Sequence, residues 1–138
     1  MAFTGNYSCN TLRSGLISGA FDFSTDTFYM ALYTNAATLN ESTTEYTTNG
    51  EVVASGYAPQ VITATVTSEP TSSGSITYVN FSSPSWTAAL TARGALIYKA
   101  GANGAVCVLD FGNDKTSTST FTVQMPGNTS TSALIRLA

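Results

Sequence analysis

The sequence predicts an all-β fold: a single-domain antiparallel β-sandwich or small barrel of about seven or eight strands with one short N-terminal helix. Three observations predict it. Only 9% of the 138 residues are charged, against about a quarter in an average soluble domain, and serine and threonine fill the gap. Seven Tyr and seven Phe accompany them, and threonine and aromatic side chains pack well on a pleated, half-buried surface. Apolar alternation then recurs in short runs separated by Gly, Pro, Asn and Ser clusters.

The helix comes first. In "NTLRSGLISGAF" Leu12, Leu16 and Ala20 stand at i, i+4 and i+8 with Ile17 and Phe21 alongside, an apolar stripe that predicts a helix over about residues 10 to 20. Asn10 or Thr11 is placed to cap its first amides. From Thr27 the period changes to two, with Phe28, Met30 and Leu32 on one face and Tyr29, Ala31 and Tyr33 on the other, so this strand needs cover on both sides. Further strands are expected at Val61 to Thr67, Ser75 to Phe81, Ala92 to Lys99, Ala105 to Phe111, Thr120 to Met125 and Ala133 to Leu137.

Ala92 to Phe111 is a hairpin whose register can be argued. With Ala100 to Gly104 as the loop, Ile97 faces Cys107 and Ala95 faces Leu109; with a two-residue turn at Asn103-Gly104, Ile97 would face Asp110. Apolar cross-strand pairing selects the longer loop. One face then carries Ala95, Ile97, Cys107, Leu109 and Phe111, and the other Leu96, Tyr98, Val106 and Val108. Both are apolar, so two layers must cover this sheet. One is the second sheet of the sandwich, and for the other face the helix and a neighbouring subunit are expected to share the work.

Asn35 to Gln60 is the longest irregular stretch, and loops of that length are usually functional. Its Tyr46 and Tyr57 are candidate anchors for a partner, while Asn49-Gly50 offers a turn that would structure it. Residues 1–9, with Phe3 and Tyr7, form a candidate arm reaching onto a neighbour, or a frayed terminus. Arg93 lies near Asp110 in the chosen register; an ion pair at the sheet rim is favoured over an intersubunit pair. Phe3, Tyr7, Tyr46, Tyr57 and Arg93 are therefore the candidate interface residues within one domain, 1–138.

Function classes narrow by chemistry. Histidine is absent, which removes the usual general base near neutral pH and the commonest metal ligand. Cys9 and Cys107 lack metal or dithiol spacing and are expected as buried free thiols. Arg13, Arg93, Lys99, Lys115 and Arg136 are scattered and the net charge is −3, so the cation cluster that nucleic acid requires is missing. No run of about 18 apolar residues would span a membrane, and "MAFTGNYSC" has no secretion-signal pattern. Catalytic, cofactor and metal sites are each expected to be none. A glycosidase would need two convergent carboxyls; Asp110 to Asp114, "DFGND", reads more simply as an Asx-turn than as a calcium site. Trp86 reads as a core or interface anchor before it reads as a sugar platform.

The segments "DFSTDTFYMALYTNAATLNESTTEYTTNGEVVASGYA", "WTAALTARGALIYKA", "VLDFGNDKTSTSTFTVQMP" and "ALIRLA" together resemble a family of small β-rich virion structural proteins of tailed bacteriophages, particularly phages of cyanobacteria and marine bacteria. The likeness runs through nearly the whole chain and includes no catalytic motif. It implies a non-enzymatic particle component located in the virion and assembled in the host cytoplasm. A decoration or cement protein on the outer head surface is the first expectation, and a tail- or fibre-associated adhesion protein binding host-surface glycan is the alternative. The partners it implies are other virion proteins, the major capsid protein or tail proteins, and further copies of the chain in a homo-oligomer. No residue-level roles carry over.

Overall fold

A computed structural model describes residues 3–137. Its strands are β1 (Tyr7–Ser8), β2 (Phe28–Tyr33), β3 (Gln60–Ile62), β4 (Ala64–Thr71), β5 (Gly74–Phe81), β6 (Ser85–Trp86), β7 (Leu90–Lys99), β8 (Ala105–Ser117), β9 (Phe121–Thr122) and β10 (Ile135–Leu137), with one helix, α1 (Asn10–Ser18). They form a five-stranded sheet ordered β1-β8-β7-β2-β3, a three-stranded sheet β10-β5-β4 and a two-stranded pair β6-β9. All pairings are antiparallel. The sheets do not close into a barrel, and the all-β expectation with one short helix holds.

The helix ends where glycine permits it: Gly19 takes the left-handed conformation at φ 82°, which a side chain with Cβ adopts at a cost. The β7–β8 hairpin adopts the longer-loop register, Ile97 opposite Cys107 and Ala95 opposite Leu109. It departs from regular pairing twice. Tyr98 faces Ala105 rather than Val106, so Val106 is the extra residue of a bulge and turns into the core opposite to the one expected for it. Farther along, Ala92 faces Lys115 while Gly94 faces Asp110, leaving Arg93 alone opposite the extruded Phe111, Gly112, Asn113 and Asp114. This bulge lets β8 resume pairing as far as Ser117, beyond the expected end at Phe111.

The large sheet is covered on both faces. On one, Met30, Leu32, Ala95, Ile97 and Val106 pack with Phe81, Trp86, Phe121, Met125 and the helical Leu12. On the other, Ala31, Tyr33, Leu96, Tyr98 and Val108 pack with Phe3, Cys9, Ala37 and Leu39. This second cover corrects the expectation of helix plus neighbouring subunit: the helix serves the first core, and the chain's own N-terminal segment and 34–51 loop close the second. The chain does so because β1 hydrogen-bonds along the free edge of β8, which lays the residues before and after it against the sheet. Residues 1 and 2 of the expected 1–9 arm lie outside the described residues.

The 34–51 loop is structured. Thr34 N donates to Gly50 O at 2.8 Å and Val52 N to Leu32 O at 3.0 Å, and Glu51 bridges Tyr33, so Asn49-Gly50 turns the chain back alongside β2. Gly50 is required twice over. Its φ is +78°, and a Cβ there would overlap the Ala37 backbone. In the expected strand at Thr120 to Met125, only Phe121 and Thr122 make a ladder, with Ser85 and Trp86.

Candidate functional site

A polar cluster lies where the returning loop meets β2. Glu51 is half-buried there, and its carboxylate accepts two tyrosine hydroxyls: Tyr46 Oη at 2.5 Å on Oε1 and Tyr57 Oη at 2.6 Å on Oε2. The Tyr57 hydroxyl also accepts the backbone N–H of Leu32 at 2.9 Å. Beside them the buried Tyr33 donates to Thr47 O at 2.7 Å. Aromatic stacking extends the cluster across the sheet, Tyr46 on Tyr98 with centroids 4.7 Å apart and Tyr98 on Tyr29 at 5.5 Å.

Burial raises the phenols of Tyr33, Tyr46, Tyr57 and Tyr98. Tyr46 and Tyr57 rise through burial first and through donating to Glu51 second; Tyr33 rises through burial; and Tyr98 is pushed to about 12 by burial, with the Glu51 charge and Tyr29 adding to it. Near neutral pH all four are protonated, and Tyr33, Tyr46 and Tyr57 donate. The arrangement therefore works as a clasp, in which a carboxylate fastens two parts of one loop to a strand, since each of its oxygens already holds a short charge-assisted hydrogen bond.

Each of the sequence-selected residues is engaged within the chain. Tyr46 and Tyr57 share Glu51. Phe3 is 2% exposed, and the Arg93 guanidinium lies 5.8 Å from its ring centroid while pairing with Asp110. Arg93 thus makes the ion pair within the sheet that was the favoured reading. The Asp110 N–H donates to Asn6 Oδ1 at 2.5 Å, so the same corner ties down the N-terminal segment. Asp110 Oδ1 also accepts Gly112 N–H at 2.9 Å, the expected Asx-turn. Tyr7 is half-buried, and its hydroxyl pairs with Thr4 Oγ1 at 2.5 Å. As folded, Phe3 offers no surface to a neighbour; Tyr7, Tyr46, Tyr57 and Arg93 are half-buried.

Other candidate chemistry is similarly engaged. Asp26 accepts from Asp22 N at 2.9 Å and Lys99 Nζ at 3.0 Å, and these bonds, the backbone one first, hold its carboxyl below the usual range. Cys9 and Cys107 are free and buried, on opposite faces of the large sheet; burial raises the Cys9 thiol to about 11 and the Cys107 thiol further. Trp86 is 1% exposed, donates Nε1–H to Ala58 O at 2.7 Å and contacts Tyr57 and Phe121. It is a core anchor, and a sugar cannot stack on it in this fold. Among the described residues no three His, Cys, Asp or Glu side chains gather as metal ligands, and no helix is long and apolar enough to cross a membrane.

Sequence reasoning missed Glu51 as the centre of the clasp. The signal available was the spacing of Tyr46, Glu51 and Tyr57 in one loop, which becomes meaningful only once Asn49-Gly50 reverses the chain. No protein-family model, curated protein or solved structure matches the chain.

Proposed function

We propose that this protein is a non-enzymatic structural component of a tailed-bacteriophage virion, a decoration protein bound to the outer head surface. The observation that carries the reading is the kind of surface the strands present. Exposed hydroxyls pair across neighbouring strands, Ser68 with Thr77 at 2.7 Å, Ser85 with Thr122 at 2.7 Å and Thr91 with Thr116 at 3.0 Å, on a chain of which 9% is charged. Such surfaces associate by shape, apolar contact and hydroxyl hydrogen bonds, with little screening by salt. The likeness to β-rich virion proteins points the same way, and contact with packaged DNA is not required of a protein outside the shell.

The carboxylates add support, because Asp26, Glu51 and Asp110 each serve a local structural contact. The glycan-binding alternative loses its best platform with the burial of Trp86. Quantitative mass spectrometry of purified virions that encode the chain tests the proposal. Hundreds of copies per particle are expected for a head decoration protein. A few copies would move it to the tail or fibre, and absence from purified particles would overturn the reading.

A further inference from the structure

The sheet edges are unequal. Among the described residues the large sheet ends in β1 and β3, of two and three residues, and the small sheet ends in β10, of three. Its other edge is β4, Ala64–Thr71, eight residues long and largely exposed. Long, regular, uncharged edges template pairing with another chain, and proteins normally shorten, charge or cover them.

The backbone direction on β4 follows from one bond. Ser82 N donates to Thr63 O at 2.9 Å, and the β4–β5 register continues without a shift from Ala64 opposite Phe81 to Thr71 opposite Gly74. Alternation along an antiparallel ladder then turns the backbone groups of residues 65, 67 and 69 toward β5 and those of Ala64, Val66, Ser68 and Pro70 outward. Pro70, which has no N–H, falls at an outward position, where proline is tolerated. The open stretch is therefore Ala64 to Ser68, bounded by Pro70 and the charge of Glu69.

We propose that this edge pairs with the same edge of a second copy, antiparallel about a two-fold axis at Val66. With that axis Val66 faces Val66 of the second copy and Ala64 faces Ser68, and the outward N–H and C=O groups of all three positions match. Thr65 meets Thr67 of the second copy, a favourable cross-strand pair. Glu69 falls opposite Thr63, so no like charges oppose each other. Val66, 44% exposed, opens onto an apolar groove of about 460 Å³ lined by Leu16, Phe21, Phe23, Val79 and Leu137. The Val66 pair joins the two grooves into one floor. A second copy fits better than head-to-tail growth because β10 is too short to receive β4, whereas β4 on β4 is self-complementary and closes. The pairing stands or falls independently of the virion reading.

Sedimentation equilibrium on the full chain tests it, with amide exchange alongside. A dimer is expected, with the amides of Ala64, Val66 and Ser68 protected only at concentrations where it forms, while those of Thr65 and Thr67 are protected throughout. Val66→Pro removes an outward donor from each copy and leaves the inner ladder intact, so the association constant should fall about 30-fold. Val66→Lys places like charges on the axis and should weaken it at least about tenfold. Val53→Lys, at a position 96% exposed elsewhere, should leave it unchanged. Thermal melts matching wild type show that the variants are folded; if Val66→Pro is not, the lysine variant and the wild-type exchange pattern decide. A monomer at every soluble concentration, or a dimer that survives both substitutions or leaves the three amides unprotected, overturns the proposal.

Discussion

Glu51 shows how one side chain can hold a loop that has little regular structure. Its carboxylate receives the hydroxyls of Tyr46 and Tyr57, and Tyr57 in turn satisfies the Leu32 amide. Hydrogen bonds to a charged group contribute about 1.5–3 kcal/mol each when well formed, and partial exposure lowers that. Glu51→Ala is therefore expected to lower the unfolding free energy by about 2–3 kcal/mol, and Tyr57→Phe by about 1–2 kcal/mol because a buried amide loses its acceptor. Urea titration followed by circular dichroism measures both. Combining them should give much less than the sum, since both remove the same bond. The tyrosines were visible in the sequence as aromatic residues in a long loop. Their shared acceptor was not, because periodicity carries no information about which loop side chains converge.

At the scale of elements, the N-terminal segment is a structural part of the large sheet. Phe3 fills a slot over β7 that exists because residue 94 is glycine: a Cβ there would overlap the Phe3 ring and the Leu109 carbonyl. An aromatic ring lying over a strand glycine restores the packing that the missing side chain would have provided. Phe3→Ala is expected to cost about 3–4 kcal/mol through the cavity it leaves, and Gly94→Ala about 1–3 kcal/mol through overpacking. The double variant should be less destabilised than the sum, because the alanine at 94 occupies part of the space the ring vacates; strict additivity in the thermodynamic cycle would contradict the contact. Element legibility followed the same logic. The hairpin register was readable because alternate apolar residues on β7 and β8 demand one alignment. The Val106 bulge was not, because a bulge changes the face of one residue without altering the local pattern.

At the scale of the molecule, the tyrosines around Glu51 make stability depend on pH from the alkaline side. Tyr33, Tyr46, Tyr57 and Tyr98 all have folded-state pKa values above their ordinary value near 10. A group raised on folding contributes its full stability below its unfolded pKa and loses it as pH rises toward the folded one. The fold should accordingly be insensitive to these phenols near neutrality and destabilise steadily above about pH 10. Tyrosinate absorbance and circular dichroism should change together. Independent titration of all seven tyrosines near pH 10 with the fold intact would refute the buried clasp.

The sequence by itself determined the β class, the short helix, the strands β2, β5 and β7 and the β7–β8 register, because each rests on the periodicity of neighbouring side chains; it did not show that the strand expected at Val61 to Thr67 divides into β3 of the large sheet and β4 of the small one. It also determined that both faces of the large sheet need cover. Only the tertiary structure decided what supplies that cover, and the segment from Phe3 to Cys9 and the long loop took the place expected for a neighbouring subunit. That choice depends on contacts between segments far apart in sequence, Phe3 with Gly94 and Tyr46 with Tyr98, whose geometry exists only after the strands have assembled. The same assembly left β4 as the long open edge, since strand order is a property of the whole sheet and no local pattern marks which strand will stand last.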